Sequence, residues 1–123
     1  MLNKEAVVIF KYWSPVVICA GGIFYFSSLP GTSIPKLFSF QEVLFHFFIY
    51  LILGLFFSRA LKNTFLGISV TKIIIFTFIF TFIYGISDEF HQYFVPCRNA
   101  SVFDLLIDGF GGLFGGLFLL RHQ

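Results

Sequence analysis

A chain of 123 residues that is 58% hydrophobic and only 11% charged cannot clothe a water-facing globule, because soluble domains carry roughly 25% charged residues. The mean hydropathy of +0.92 and the length together fit four membrane-spanning helices of about 20 residues each. A formal charge of +2 is too small to draw the chain to nucleic acid, and two cysteines without CxxC or His/Cys ligand spacing exclude a cysteine-built zinc site.

Residues 1–11 read as a mixed-charge leader holding Lys4, Glu5 and Lys11, and the run 12–29 follows without a charge, with Pro15 tolerated in its first turn. Basic residues before an apolar core also describe a secretory signal. The exit Phe26-Ser-Ser-Leu-Pro-Gly makes a poor cleavage site, however, and Ile18 before Cys19 spoils a lipoprotein box, so a retained first helix over 12–29 is expected. Cys19 reads as a packed thiol and Cys97 as a free thiol near the surface.

Residues 30–39 are rich in turn formers. A second helix is expected over 41–61, with Glu42, His46 and Tyr50 at successive four-residue spacing on its first two turns and Arg59 near its far end. The third, over 72–95, stays apolar through Tyr84 and turns polar only at its end. There Asp88 lies three residues before His91 and four before Gln92, so the three share a face. Pro96 ends that helix, Arg98 sits in the short connection, and Asn99 and Ser101 are placed to cap the fourth helix, over 102–120.

Only twelve residues separate Asp108 from Arg121. That is about 18 Å of helix against a hydrocarbon layer of about 30 Å. A spanning fourth helix must therefore carry Asp104 and Asp108 into the outer part of the membrane. Below them Gly111, Gly112, Gly115 and Gly116 form two overlapping small-xxx-small patterns that let a neighbouring helix come close. Asp108, Gly112 and Gly116 share one side, so the carboxylate face is expected to pack into the bundle.

Lys4, Lys11, Arg59, Lys62, Lys72 and Arg121 flank one side of these spans, against Lys36 and Arg98 on the other. The excess of basic residues marks the cytoplasmic side. The expected architecture is all-α: one domain over 1–123, a four-helix multi-pass bundle in a bacterial cytoplasmic membrane with both termini cytoplasmic. The polar residues then converge on the outer side.

Four of the six acidic residues fall within 83–108. A carboxylate at the bilayer centre costs about 2.5–3.5 kcal/mol to insert, so this concentration needs a reason. One is internal stapling, with Arg98 pairing Asp104 or Glu89 and His46 bonding Asp88. Another is a binding pocket formed by His46, Tyr50, Asp88, Glu89, His91, Gln92, Arg98, Asp104 and Asp108. In that pocket Arg98 would hold a phosphate or carboxylate. Tyr50 and Tyr84 also fit an interfacial belt, and Glu42 and Gln92 the interface. His46, His91, Asp88 and Asp108 come from three helices with no intrahelical ligand pair of the HExxH kind, so neither a metal nor another cofactor is expected.

The phrase from Tyr84 through Asp88-Glu-Phe-His-Gln92, Arg98 and Asp104 to Asp108-Gly-Phe-Gly-Gly112 resembles the signature of VanZ-like membrane proteins. So do Phe24-Tyr-Phe-Ser-Ser-Leu-Pro-Gly31 and His46-Phe-Phe-Ile-Tyr50, and the resemblance runs over about 12–120. The chain departs from that pattern at Glu42-Val43, where the family often has Asp-Lys, and at Asp108, where it often has asparagine. The resemblance implies a bacterial membrane protein of the type associated with resistance to teicoplanin, a lipid-bearing glycopeptide antibiotic. The leading expectation is a protein that binds membrane lipid, a lipid-linked cell-wall intermediate or a lipoglycopeptide, with an oligomer compatible. An alternative is a membrane hydrolase or transferase whose candidate catalytic residues are His46, Asp88 and His91, a histidine acting as base. A third is a small transporter subunit in which Asp88 and Asp108 titrate.

Overall fold

A computed structural model describes residues 3–98 and 101–122, and these form four long α-helices with one short turn of 3₁₀ helix. Helix α1 runs over Lys4–Ser28, α2 over Gln41–Thr64, α3 over Val70–Tyr93 and α4 over Val102–Arg121. The 3₁₀ turn, Gly31–Ser33, lies between α1 and α2. All four α-helices are long and apolar enough to cross a membrane. The chain is therefore read as a multi-pass membrane protein.

Capping side chains set three of the four starts. Asn3 Oδ1 accepts from the Ala6 amide at 2.7 Å, Ser69 Oγ from Lys72 at 3.2 Å and Ser101 Oγ from Asp104 at 3.0 Å. The expected capping by Asn99 lies outside the described residues. Helix α1 begins at the Asn3 cap and not, as its charge-free stretch implied, at residue 12. Lys4, Glu5 and Lys11 are thus helical, and Pro15 falls inside the helix and not in its first turn. Without a helical cap at its start, α2 is anchored through Gln41, whose side chain accepts from Leu37 N at 2.7 Å and donates to Pro35 O at 2.8 Å. Helix α3 stops at Tyr93, two residues short of the expected end, while α2 continues to Thr64.

The most extensive interface joins α2 to α4, and α4 also packs on α3 while α1 lies mainly against α2. Glycine explains the closeness. A Cβ on Gly54 would stand 2.3 Å from the Gly112 carbonyl oxygen, and one on Gly115 would stand 2.0 Å from the Leu51 carbonyl oxygen. Backbone thus meets backbone along the α2–α4 seam, as small-xxx-small patterns allow. Trp13, Phe57, Phe80 and Tyr84 pack around a small apolar core of Val16, Ile23, Tyr50, Leu53 and Ala60.

The usual inside-out order of a soluble protein is reversed. Phe10, Phe40, Phe90 and Phe103 are exposed, whereas Ser27, His46, Ser58, Thr77, Thr81, Asp88, Glu89, Gln92, Asp104 and Asp108 are buried. Apolar side chains facing lipid and polar ones facing each other is what a membrane bundle requires.

Candidate functional site

Of the buried polar residues, Ser27, His46, Asp88, Glu89, Gln92, Asp104 and Asp108 gather where the C-terminal ends of α1 and α3 meet the N-terminal ends of α2 and α4. The four-residue spacing on α2 aims His46 and Tyr50 inward, and both are buried. Asp88 and Gln92 line the inner face of α3, and Asp104 and Asp108 that of α4. One ligand-capable atom from each of His46, Asp88, Glu89 and Asp108 lies within 4.8 Å of all the others.

The pairing within this cluster differs from the expected one. His46 Nδ1 bonds Asp108 Oδ1 at 2.8 Å, not Asp88, and both side chains are almost completely enclosed. Asp88 accepts from the Tyr50 hydroxyl at 3.2 Å and from the Ser27 hydroxyl. Gln92 reaches toward Ser27 at 3.5 Å, tying the end of α1 to α3. Glu89 Oε2 accepts from the Ser101 amide at 2.7 Å, so it helps to cap α4. Asp104 is buried beside these residues, and its own backbone amide completes the Ser101 cap.

Arg98 also departs from expectation. It pairs with Glu42 at 3.1 Å and with neither Asp104 nor Glu89. Its Nε donates to Leu29 O at 3.0 Å and its Nη2 to Phe26 O, so the guanidinium closes the C-terminal end of α1. Arg98 is a cross-brace between α1, α2 and the last loop, with at most two of its five N–H donors left over. His91 stands apart from the cluster: it shares a 2.9 Å hydrogen bond with Ser28 and stacks on Phe24 at 4.6 Å.

An open cavity of about 620 Å³ lies at the same end of the bundle. Lys36, Glu42 and Arg98 give it charge, and Phe26, Ile34, Phe38 and Phe45 give it apolar wall. Two of those wall residues, Phe26 and Phe45, directly precede Ser27 and His46 in the chain. Its rim depends on Gly31: a Cβ there would lie 1.8 Å from the Cys97 carbonyl oxygen, and the Gly31 amide donates to Pro96 O at 3.0 Å. Cys97 is exposed, in agreement with its reading as a surface thiol, and Cys19 is half-buried.

Reading the sequence found seven of the eight buried members of this end and missed Ser27. It also placed Glu42 at the interface without its partner. The signal for Ser27 was present, as a serine pair closing an otherwise apolar run at the depth of the carboxylates.

Fold and site together define a four-helix multi-pass membrane protein whose carboxylates and one histidine are gathered out of contact with lipid near one end. The chain belongs to the VanZ/LLP1 family, whose model matches residues 6–121. No curated protein and no solved structure matches it.

Proposed function

We propose that this protein binds the charged head of an envelope-associated amphiphile in the cavity between the first loop and the start of α2. The observation that carries the reading is the cavity itself: exposed Lys36 and the residual donors of Arg98 face a space walled by three phenylalanines, at the level where helices end. A lipid-linked cell-wall intermediate or the lipid-bearing part of a lipoglycopeptide antibiotic matches that pairing of anionic head and apolar body. The bias of lysine and arginine supports an orientation with both termini in the cytoplasm and the cavity on the outer face of a bacterial cytoplasmic membrane. Of the ligand-binding residues expected from sequence, Arg98 lines the cavity, while His46, Tyr50, Asp88, Glu89, His91, Gln92, Asp104 and Asp108 do not. A hydrolase or transferase has less support, because neither His46 nor His91 lines the cavity.

Titration of the full chain in detergent with a lipid-linked cell-wall precursor, and separately with a lipoglycopeptide, tests the reading. Binding should saturate, and Lys36→Gln and Phe38→Ala should each weaken it several-fold without changing thermal unfolding. Equal affinity in wild type and both variants would place the ligand elsewhere. A membrane-impermeant thiol reagent added to intact cells checks orientation: exposed Cys97 should label, and a cysteine introduced at Asn63 should not.

A further inference from the structure

The buried polar cluster has features that stapling does not explain. Glu89 Oε1 and Asp108 Oδ2 are buried and accept no hydrogen bond, although the other oxygen of each carboxylate is well held. Gln92 Oε1, on the same face of α3 as Asp88, is a third buried oxygen without a donor. Asp108 is 0% exposed and Gln92 2%. A buried acceptor without a partner costs about 1–3 kcal/mol, more when charged, so the two that belong to one cluster, Glu89 Oε1 and Asp108 Oδ2, call for a common partner. Space has been kept for one of these oxygens: a Cβ on Gly85 would stand 2.9 Å from Asp108 Oδ2.

Charge points the same way. Asp88, Glu89 and Asp108 bring three carboxylates to one imidazole. Among the described residues their partners are His46, Ser27, Tyr50 and the Ser101 amide, with no lysine or arginine. Uncompensated carboxylates enclosed in a low-dielectric bundle are strongly unfavourable; protons relieve them one at a time, whereas one bound cation relieves all three together.

We propose that His46, Asp88, Glu89 and Asp108 form a binding site for one divalent first-row metal ion, of which Mn²⁺ is the probe of choice. Donors about 2.0–2.2 Å from a common ion stand at most about 4.4 Å apart. The observed spread of 4.8 Å closes to that with side-chain shifts of a few tenths of an ångström. Three carboxylates with one imidazole favour an ion that accepts both oxygen and nitrogen, such as Mn²⁺, Fe²⁺ or Zn²⁺, over Ca²⁺ or Mg²⁺. Spacing along the chain argued against a metal because no helix carries an HExxH-like ligand pair. The ligands instead converge from α2, α3 and α4, with Asp88 and Glu89 adjacent on one helix end. This site is separate from the proposed head-group cavity, and either can exist without the other.

The test uses the full chain in detergent, without an oligohistidine tag, stripped with EDTA and reloaded with Mn²⁺ in the absence of added lipid. One Mn²⁺ per chain should be retained, its pulsed EPR spectrum should show coupling to a single imidazole nitrogen, and the unfolding midpoint should rise with metal. Asp108→Asn and Glu89→Gln should each weaken retention by at least about tenfold, since even changes outside the direct ligands cost 10–100-fold. His91→Gln and Glu42→Gln, which lie outside the cluster, should retain metal as wild type does. Failure of the wild-type chain to hold Mn²⁺, Fe²⁺ or Zn²⁺ above a buffer control overturns the proposal. Retained Mn²⁺ without nitrogen coupling overturns it as well, and that readout decides the matter even where the cluster variants do not fold.

Discussion

The polar end of the bundle and the glycine seam between α2 and α4 are held together by opposite means. Toward the loops at residues 29–40 and 94–101 the helices meet through side chains of matched identity, His46 to Asp108 and Ser27 and Tyr50 to Asp88. Deeper in the bundle they meet through the absence of side chains, with Gly54 against Gly112 and Gly115 against the Leu51 carbonyl. The glycine half sets distance and tolerates no added volume. The polar half sets composition and tolerates volume changes better than the loss of a partner. In lipid neither half gains from hydrophobic exclusion between helices, so packing and hydrogen bonding must supply the association.

The sharpest way to break the glycine half is Gly115→Leu, which should abolish folded yield in detergent. Even Gly115→Ala should cost about 3 kcal/mol, because a backbone carbonyl cannot step aside for the new methyl group. Gly116→Ala is the control: its nearest neighbour would be Thr77 Cγ2 at an ordinary 3.5 Å, so thermal unfolding should shift by no more than about 0.5 kcal/mol. If Gly115→Ala and Gly116→Ala behave alike, the close seam is wrong.

The polar half should break next. His46→Ala leaves Asp108 enclosed without its partner, and removing one member of a buried pair costs about 3–5 kcal/mol. A double-mutant cycle of His46→Ala with Asp108→Asn should show coupling well beyond about 0.5 kcal/mol, and the cycle of His46 with Asp88 a smaller value. Chemical unfolding in detergent measures both.

Smaller effects locate the brace. Arg98→Gln should couple with Glu42→Gln by about 0.5–1 kcal/mol, a low value because the Glu42 side chain is 44% exposed. Arg98 and Asp104 should show coupling near zero, the reverse of what their closeness in sequence implied. The smallest change is a gain. Cys97 sits at φ 59°, in the left-handed region that favours glycine, so Cys97→Gly should raise stability by about 0.5–1 kcal/mol, readable as a higher unfolding midpoint.

The sequence by itself determined the medium and the depth of the parts. Hydropathy required four spanning helices, and the twelve residues between Asp108 and Arg121 forced two carboxylates of α4 below the surface. The glycine spacing placed Asp108, Gly112 and Gly116 on one inward face, and the structure buries all three. These conclusions rest on quantities local to one helix, its length, periodicity and charge, which survive any arrangement of the neighbours.

Tertiary structure alone decided who touches whom. Arg98 reaches Glu42, 56 positions away, and not Asp104, while His46 finds Asp108, 62 positions away, and not Asp88. His46, Asp88 and Asp108 could be named together from the chain, but that Glu89 and not His91 joins them within 4.8 Å could not. Each is a meeting between different helices, set by how they rotate and slide against one another. A rotation of one residue, about 100°, would exchange every partner while leaving each helix's own pattern unchanged. In this bundle that rotation is fixed by the backbone contacts at Gly54, Gly112 and Gly115, which only the packed helices possess.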